Sequence, residues 1–540
     1  MLNRRPEAQV VFGAIAVFFI AFLAAPLLAL LGNSFHTGQG MGIANYMQVL
    51  GDKSIGRAIA NSIHVSVIAA LLTTILAFSL AYAVNCTNMN KRLKRLITIG
   101  ISIPMLLPTI TYGFAIIYSF GKQGLLTKLF GMELMQIYGF NGLLMGYVIY
   151  TLPSAFLLLN NSFGYIDKKF IIVSTLMGDS FLRGFMNTVL RPLIGTLGGA
   201  FVLSFILSFT DFGIPASVGG TYSVIATQLY QVMLGTIPDF NYGAVIAVLM
   251  LVPAVVGVVF LRCLDKFNFH YEAVTATALP ENRLRDFFFG LLSILTVAAM
   301  GSVFLVMFIA PVVKNYPYDL SLTVQFFGKV LSSGTLFEVY ENSVLAALAS
   351  AGVGTVISYS AAVINVRTAM GKQVKMSIDL FAMISNTVPG MVLGLAYLLF
   401  FNSSDLKGTF LIIVVCNIVH FFTTPYLMAK NSLAKLNPAW ETTGELMGDT
   451  WIKTILRVII PNSLATIVEM FGYYFINAMV TVSAIIFLVT ARTAVVTSKI
   501  RELQHFASFN EIFVLSILIF VTNISVKICC DRIQQRIAAP

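Results

Sequence analysis

Apolar residues fill this chain in long blocks. The segments 10–31, 63–84, 143–159 and 512–526 contain no charged side chain. A run of about 18 or more such residues reads as a helix that crosses a bilayer, because lipid leaves an exposed backbone group without a partner. The last two runs are shorter, and their apolar flanks extend them. Short polar stretches, many of them basic, separate the blocks. The pattern predicts about twelve transmembrane helices, six in each half, and so an all-α polytopic membrane protein. In the first half, spans are predicted at about 10–32, 58–84 and 96–120, with an outer loop at 121–140 and a fourth helix ending near Asn160. In the second half that loop shrinks to 402–409 and the fourth helix ends near Lys430.

The blocks repeat. Asn61-Ser62 returns as Asn342-Ser343. Thr74, Phe78, Ser79 and Ala81 return as Thr355, Tyr359, Ser360 and Ala362. Pro108, Gly113 and Ala115 return as Pro389, Gly394 and Ala396. All these pairs lie 281 residues apart. Leu176-Met177-Gly178-Asp179 returns as Leu446-Met447-Gly448-Asp449, now 270 apart, and the shorter outer loop accounts for the change. Two tandem six-helix units are expected, 1–262 (core 57–262) and 287–540 (core 338–530), joined by a cytoplasmic linker at 263–286. Such duplication in a membrane protein points to two halves around one path across the bilayer.

Charge orients the spans. The chain is 58% hydrophobic and 11% charged, against about 25% charged in a soluble domain. With both termini in the cytoplasm, 24 Lys and Arg fall inside and 10 outside, as the positive-inside rule requires. The net charge of +11 therefore belongs to inner loops facing lipid headgroups, and no solvated basic domain exists to bind nucleic acid. The five cysteines have no metal-ligand spacing, and no metal or cofactor is expected in the chain. A phosphate-binding GxxxxGK[ST] loop is also missing, so catalysis of nucleotide hydrolysis is expected elsewhere.

The most informative polar segment joins the fourth and fifth helices. In the second half it reads LAKLNPAWETTGELMGDTWIKTILRVIIPNSL. Asn437-Pro438 opens a short amphipathic helix through Glu441, Glu445 and Leu446. Gly448 stops it, Trp451, Ile455 and Val458 mark a second amphipathic stretch, and Pro461 opens the next membrane helix. A helix–glycine–helix elbow of this kind presents a knob to a partner.

This segment resembles the EAA loop of binding-protein-dependent ABC importer permeases. Glu441, Gly448 and Pro461 stand at the positions of that pattern. The first copy diverges: Asp167 and Gly178 match, Ile171-Ile172 replace the acidic residue, and Pro192 comes one place late. The resemblance covers nearly the whole chain as two fused permease units. It implies coupling elbows (Gly178, Asp179, Glu441, Glu445, Gly448, Asp449, Pro461) that dock two ATP-binding cassette subunits, which supply ATP-Mg. It also implies an extracytoplasmic solute-binding protein and a bacterial plasma-membrane location. The stretches 210–235 and 241–265 are similar to 2-aminoethylphosphonate permeases, which makes an organophosphonate the first expectation for substrate. Ferric iron is the second, with thiamine and polyamines behind it.

Residues of the path itself are less defined. Pro108, Gly113, Pro389 and Gly394 interrupt spans, either as packing kinks or as pathway lining. Asp211, Asn386, Glu469 and Asn477 are polar groups in or near spans, where such residues tend to face the bundle interior. Glu469 either lines the path or pairs with a polar neighbour. The rival class is a twelve-helix transporter driven by an ion gradient, which shares the repeat but does not require paired elbows.

Overall fold

The structure is a computed structural model that describes residues 6–37, 40–167, 169–264 and 282–538. Nearly all the regular structure among the described residues is helical, with two short antiparallel hairpins pairing His36–Thr37 with Gly40–Met41 and Val313–Asn315 with Asp319–Leu322. Among the described residues, eight helices are long and apolar enough to cross a membrane, from Pro6–Phe35 to Phe509–Ile537. Four bent helix pairs pass the same test jointly, giving up to twelve spans. The chain is an all-α polytopic membrane protein.

The bends follow from local chemistry. Lys91–Leu106 and Thr109–Phe130 meet at 108°, and Lys372–Thr387 and Gly390–Phe400 at 104°. Pro108 and Pro389 stand at these breaks. Each forces the preceding residue out of the helical region, and Leu107 (ψ 147°) and Val388 (ψ 117°) are extended as expected. Two helices of the first half start on side-chain caps: Asp52 accepts from the Ser54 amide at 2.7 Å, and Asn90 from the Arg92 amide at 2.9 Å. Pro461 does not open the long helix as expected. It sits in a short turn, Ile460–Asn462, and the helix resumes at Leu464 after a 78° bend.

The chain divides into two compact units, and these do not follow the two sequence halves. One comprises residues 50–231 and 252–326. There Lys53–Cys86 packs on Phe140–Phe163 through small residues, with Ala69, Ala70, Ala77 and Ala81 fully buried. Thr73 and Thr151 share a hydroxyl hydrogen bond of 2.8 Å, and Asn85 donates to Asn160 at 2.8 Å. Arg283–Val312, the first helix of the second half, completes this unit. Its Phe289 and Phe304 meet Tyr82 and Tyr112 at ring-centre distances of 4.6 and 5.3 Å. Its Val303 carbonyl accepts from Ser119 at 3.2 Å.

The other unit comprises residues 1–49, 232–251 and 327–540. Its mirror feature is Pro6–Phe35, the first helix of the first half. Phe19 packs on Phe381 and Phe422 at 5.2 and 4.4 Å, and Tyr397 donates to the Phe22 carbonyl at 2.5 Å. Gly354 leaves room for the Tyr474 ring, whose hydroxyl bonds Ser358 at 2.7 Å. Each compact unit thus holds the first helix of the other sequence half. Most of the expected linker, 265–281, lies outside the described residues.

Candidate coupling elbows and pathway

The two LMGD segments fold alike. In the first, Lys169–Leu176 ends at Gly178 with φ +76°. In the second, Ala439–Leu446 ends at Gly448 with φ +78°. A left-handed glycine two places beyond the last helical residue closes a 6→1 bond over the last turn. The Asp179 amide donates to the Ser174 carbonyl at 3.1 Å, and the Asp449 amide to the Gly444 carbonyl at 2.9 Å. The next helix then starts on a hydroxyl cap, Ser180 or Thr450. Asp179 faces Arg183 and Asp449 faces Lys453, one turn ahead in each case. Asp167 and Asn437 cap the first helix of each elbow through the amides of Lys169 and Ala439.

The turn leaves an apolar tip uncovered. Leu176 and Met177 are 81% and 79% exposed, and Leu446 and Met447 are 84% and 77% exposed. Behind the tip, the two short helices of each elbow cross at a small residue. A Cβ on Gly184 would stand 2.8 Å from Ser174 Oγ, and a Cβ on Gly444 would stand 2.7 Å from Thr454 Oγ1. The small and hydroxyl partners exchange places between copies: Ser174·Gly184 in one, Gly444·Thr454 in the other. That compensation is visible at the 270-residue spacing, and the sequence reading missed it.

The elbows differ in how they are anchored. Arg367, at the end of Gly334–Arg367, forms a bidentate ion pair with Glu441, and the two side chains are 5% and 13% exposed. The same guanidinium donates to the carbonyls of Leu436 and Asn437 at 2.9 and 3.0 Å. At the equivalent positions the first copy has Cys86 and Ile171. There a cleft of about 80 Å³ is lined by Ile171, Ser174, Asp179 and Arg285, among others. The Glu445 side chain lies outside the described residues.

The pathway candidates separate into distinct roles. Gly113 and Gly394 are fully enclosed. A Cβ on Gly113 would stand 1.7 Å from Ser217 Oγ, and one on Gly394 would stand 2.3 Å from the Ala484 carbonyl. Both therefore permit close approach of the turn that follows the fifth span of their half. Pro108 and Pro389 are buried at the same crossings. Asp211 is a buried cap, with Oδ2 accepting from the Ile214 amide at 2.8 Å and Thr109 and Gly213 as further donors. Asn477 donates to the Tyr473 carbonyl of its own helix at 2.8 Å, and Asn386 is exposed. Glu469 is exposed, and its charged neighbours are Lys527 and Asp531 of the last helix.

The repeated Asn-Ser pair has a function that the sequence did not disclose. Ser62 Oγ accepts from the Ile225 amide at 2.8 Å, and Asn61 donates to the Ser223 carbonyl at 3.0 Å. In the second copy Ser343 accepts from Val496 at 2.7 Å, and Asn342 donates to Ala494 at 3.3 Å. Each pair clamps the chain where it leaves the turn.

Paired elbows on a duplicated bundle of broken helices define a permease subunit. The chain belongs to the family described as binding-protein-dependent transport system inner membrane component, whose model matches residues 74–269 and 354–538. It is therefore a multi-pass permease of a binding-protein-dependent ABC importer, and the gradient-driven alternative is set aside. Among its relatives is the putative ferric transport system permease protein FbpB 1 of Haemophilus influenzae, 27% identical over 89% of this chain and 77% of the relative. The ferric transport system permease protein FbpB of Actinobacillus pleuropneumoniae is 26% identical over 90% of this chain and 72% of its own length. A spermidine/putrescine transport system permease protein PotC homolog of Mycoplasma genitalium is 24% identical over 42% of this chain and 79% of its own.

Proposed function

We propose that the chain forms the translocation path of a ferric-iron importer. A solute-binding protein delivers the cargo outside, and ATP-binding subunits grip the tips Leu176-Met177 and Leu446-Met447 inside. Both termini are cytoplasmic in this reading, and ATP hydrolysis lies in the partner chains. The observation that supports docking is the paired exposed apolar tip, held in one geometry by Gly178 and Gly448. Nucleotide-driven closure of the partners biases the permease between two states through the elbows, so its own contribution is differential packing.

Ferric iron displaces the phosphonate expectation because two relatives with the ferric name align over about nine-tenths of the chain. The test is reconstitution with the ATPase and the binding protein in liposomes. Stimulation of ATP hydrolysis and uptake of radioactive iron with the ferric-loaded binding protein support the reading. Stimulation only by 2-aminoethylphosphonate returns the substrate to the phosphonate class. A permease that fails to retain the ATPase in detergent refutes the docking role of the elbows.

A further inference from the structure

We propose that Arg367 is the positioning residue of the second elbow, and that Glu441 acts inside the chain as its counter-charge instead of contacting a partner. This rests on the reading of the elbows as docking knobs for an ATPase.

The geometry uses the guanidinium in full. Nε and Nη2 hold the two carboxylate oxygens of Glu441, Nη2 also reaches the Asn437 carbonyl, and Nη1 reaches the carbonyls of Leu436 and Leu433. Arginine presents five donors in a rigid fork, and here one side chain ties the end of one helix, the end of a second and the start of the elbow together. A carboxylate committed to such a fork and 13% exposed has little left to offer a docking surface.

The repeat supplies an internal control. Arg367 and Glu441 are replaced together, by Cys86 and Ile171, so the pair is present or absent as a unit. The first elbow borders a cleft of about 80 Å³ whose lining includes Ile171 and Arg285. Arg367 also ends the helix whose other end carries the Asn342-Ser343 clamp. The 24 helical steps from Ser343 to Arg367 make a rod of about 36 Å at 1.5 Å per residue. One helix therefore links the second elbow to the turn clamped at Val496. In the first copy Lys53–Cys86 carries the clamp, through Asn61 and Ser62, and ends on Cys86 in place of arginine.

The test combines amide hydrogen exchange of the full chain with uptake per ATP hydrolysed in the reconstituted complex. Arg367→Ala is expected to raise exchange across 437–449 and leave 167–179 unchanged. It is expected to lower uptake per ATP by about tenfold, the scale of one lost charge-assisted hydrogen bond. The reversal R367E/E441R is expected to recover protection and coupling relative to R367E alone. R367C/E441I, which copies the first elbow and buries no lone charge, gives the same reading if Arg367→Ala does not accumulate. Unchanged exchange at 437–449 overturns the latch. Full coupling in Arg367→Ala, with coupling abolished in both Glu441→Gln and the reversal, also overturns it and assigns Glu441 to the partner. A loosened elbow with wild-type uptake per ATP leaves the latch standing and refutes the docking reading on which it rests.

Discussion

Replacing Gly448 isolates the turn from everything around it. A Cβ built at this position meets no atom within 4 Å, so alanine carries no steric cost. What remains is the backbone, at φ +78°. A non-glycine L-residue held in the left-handed region costs about 1–2 kcal/mol. That shifts the balance against the turn by roughly 5- to 30-fold. Asparagine, which tolerates this region better, should fall between glycine and alanine. Proline fixes φ near −65° and cannot form the turn, which also removes the bond from the Asp449 amide to the Gly444 carbonyl. The expected order of uptake per ATP hydrolysed is glycine, asparagine, alanine, proline. Levels in the membrane should not change, because the substituted atoms are in solvent. The same series at Gly178 should give the same order. The assay is proteoliposome uptake with loaded binding protein, normalised to ATP consumption. Wild-type uptake per ATP in Gly448→Pro would refute the reasoning.

Further outcomes follow from other contacts. Gly113→Ala places a Cβ 1.7 Å from Ser217 Oγ, an overpacking that costs about 1–3 kcal/mol. Thermal unfolding in detergent should move down, and the added Ser217→Gly should recover most of the loss. Ser343→Ala removes the acceptor of the buried Val496 amide and should cost about 1–3 kcal/mol, read as a lower Tm. Glu441→Lys sets a cation against the buried Arg367, and uptake per ATP should collapse while the first elbow keeps its exchange protection.

Much of this was readable along the chain. The spans, the duplication and both elbows announce themselves because each is a local signal that occurs twice. Gly178 and Gly448 were legible since a left-handed helix stop selects glycine and little else. Arg367 was not, since its partner Glu441 lies 74 residues away and nothing local marks a long-range ion pair. The fixed spacing could have exposed it: Arg367 and Glu441 are lost together in the other copy. Glu469 was left between lining the path and pairing with a polar neighbour because hydropathy measures the run around it, while its exposure depends on which face of the helix it occupies. The grouping of each first helix with the opposite half was invisible for a related reason. Apolarity says that a helix leaves water, and lipid tails and neighbouring helices satisfy it equally.

That grouping sets a timetable for biogenesis. The Phe22 carbonyl and the Tyr397 hydroxyl that it receives are 375 residues apart in the chain. At about 5–20 residues per second on the ribosome, roughly 20–75 s pass between the birth of the two. Throughout that interval the first helix sits in lipid without its aromatic seat on Phe381 and Phe422. A nascent chain halted at the linker is therefore an orphan, the natural target of membrane quality control, and completion of the second half is what retires that liability.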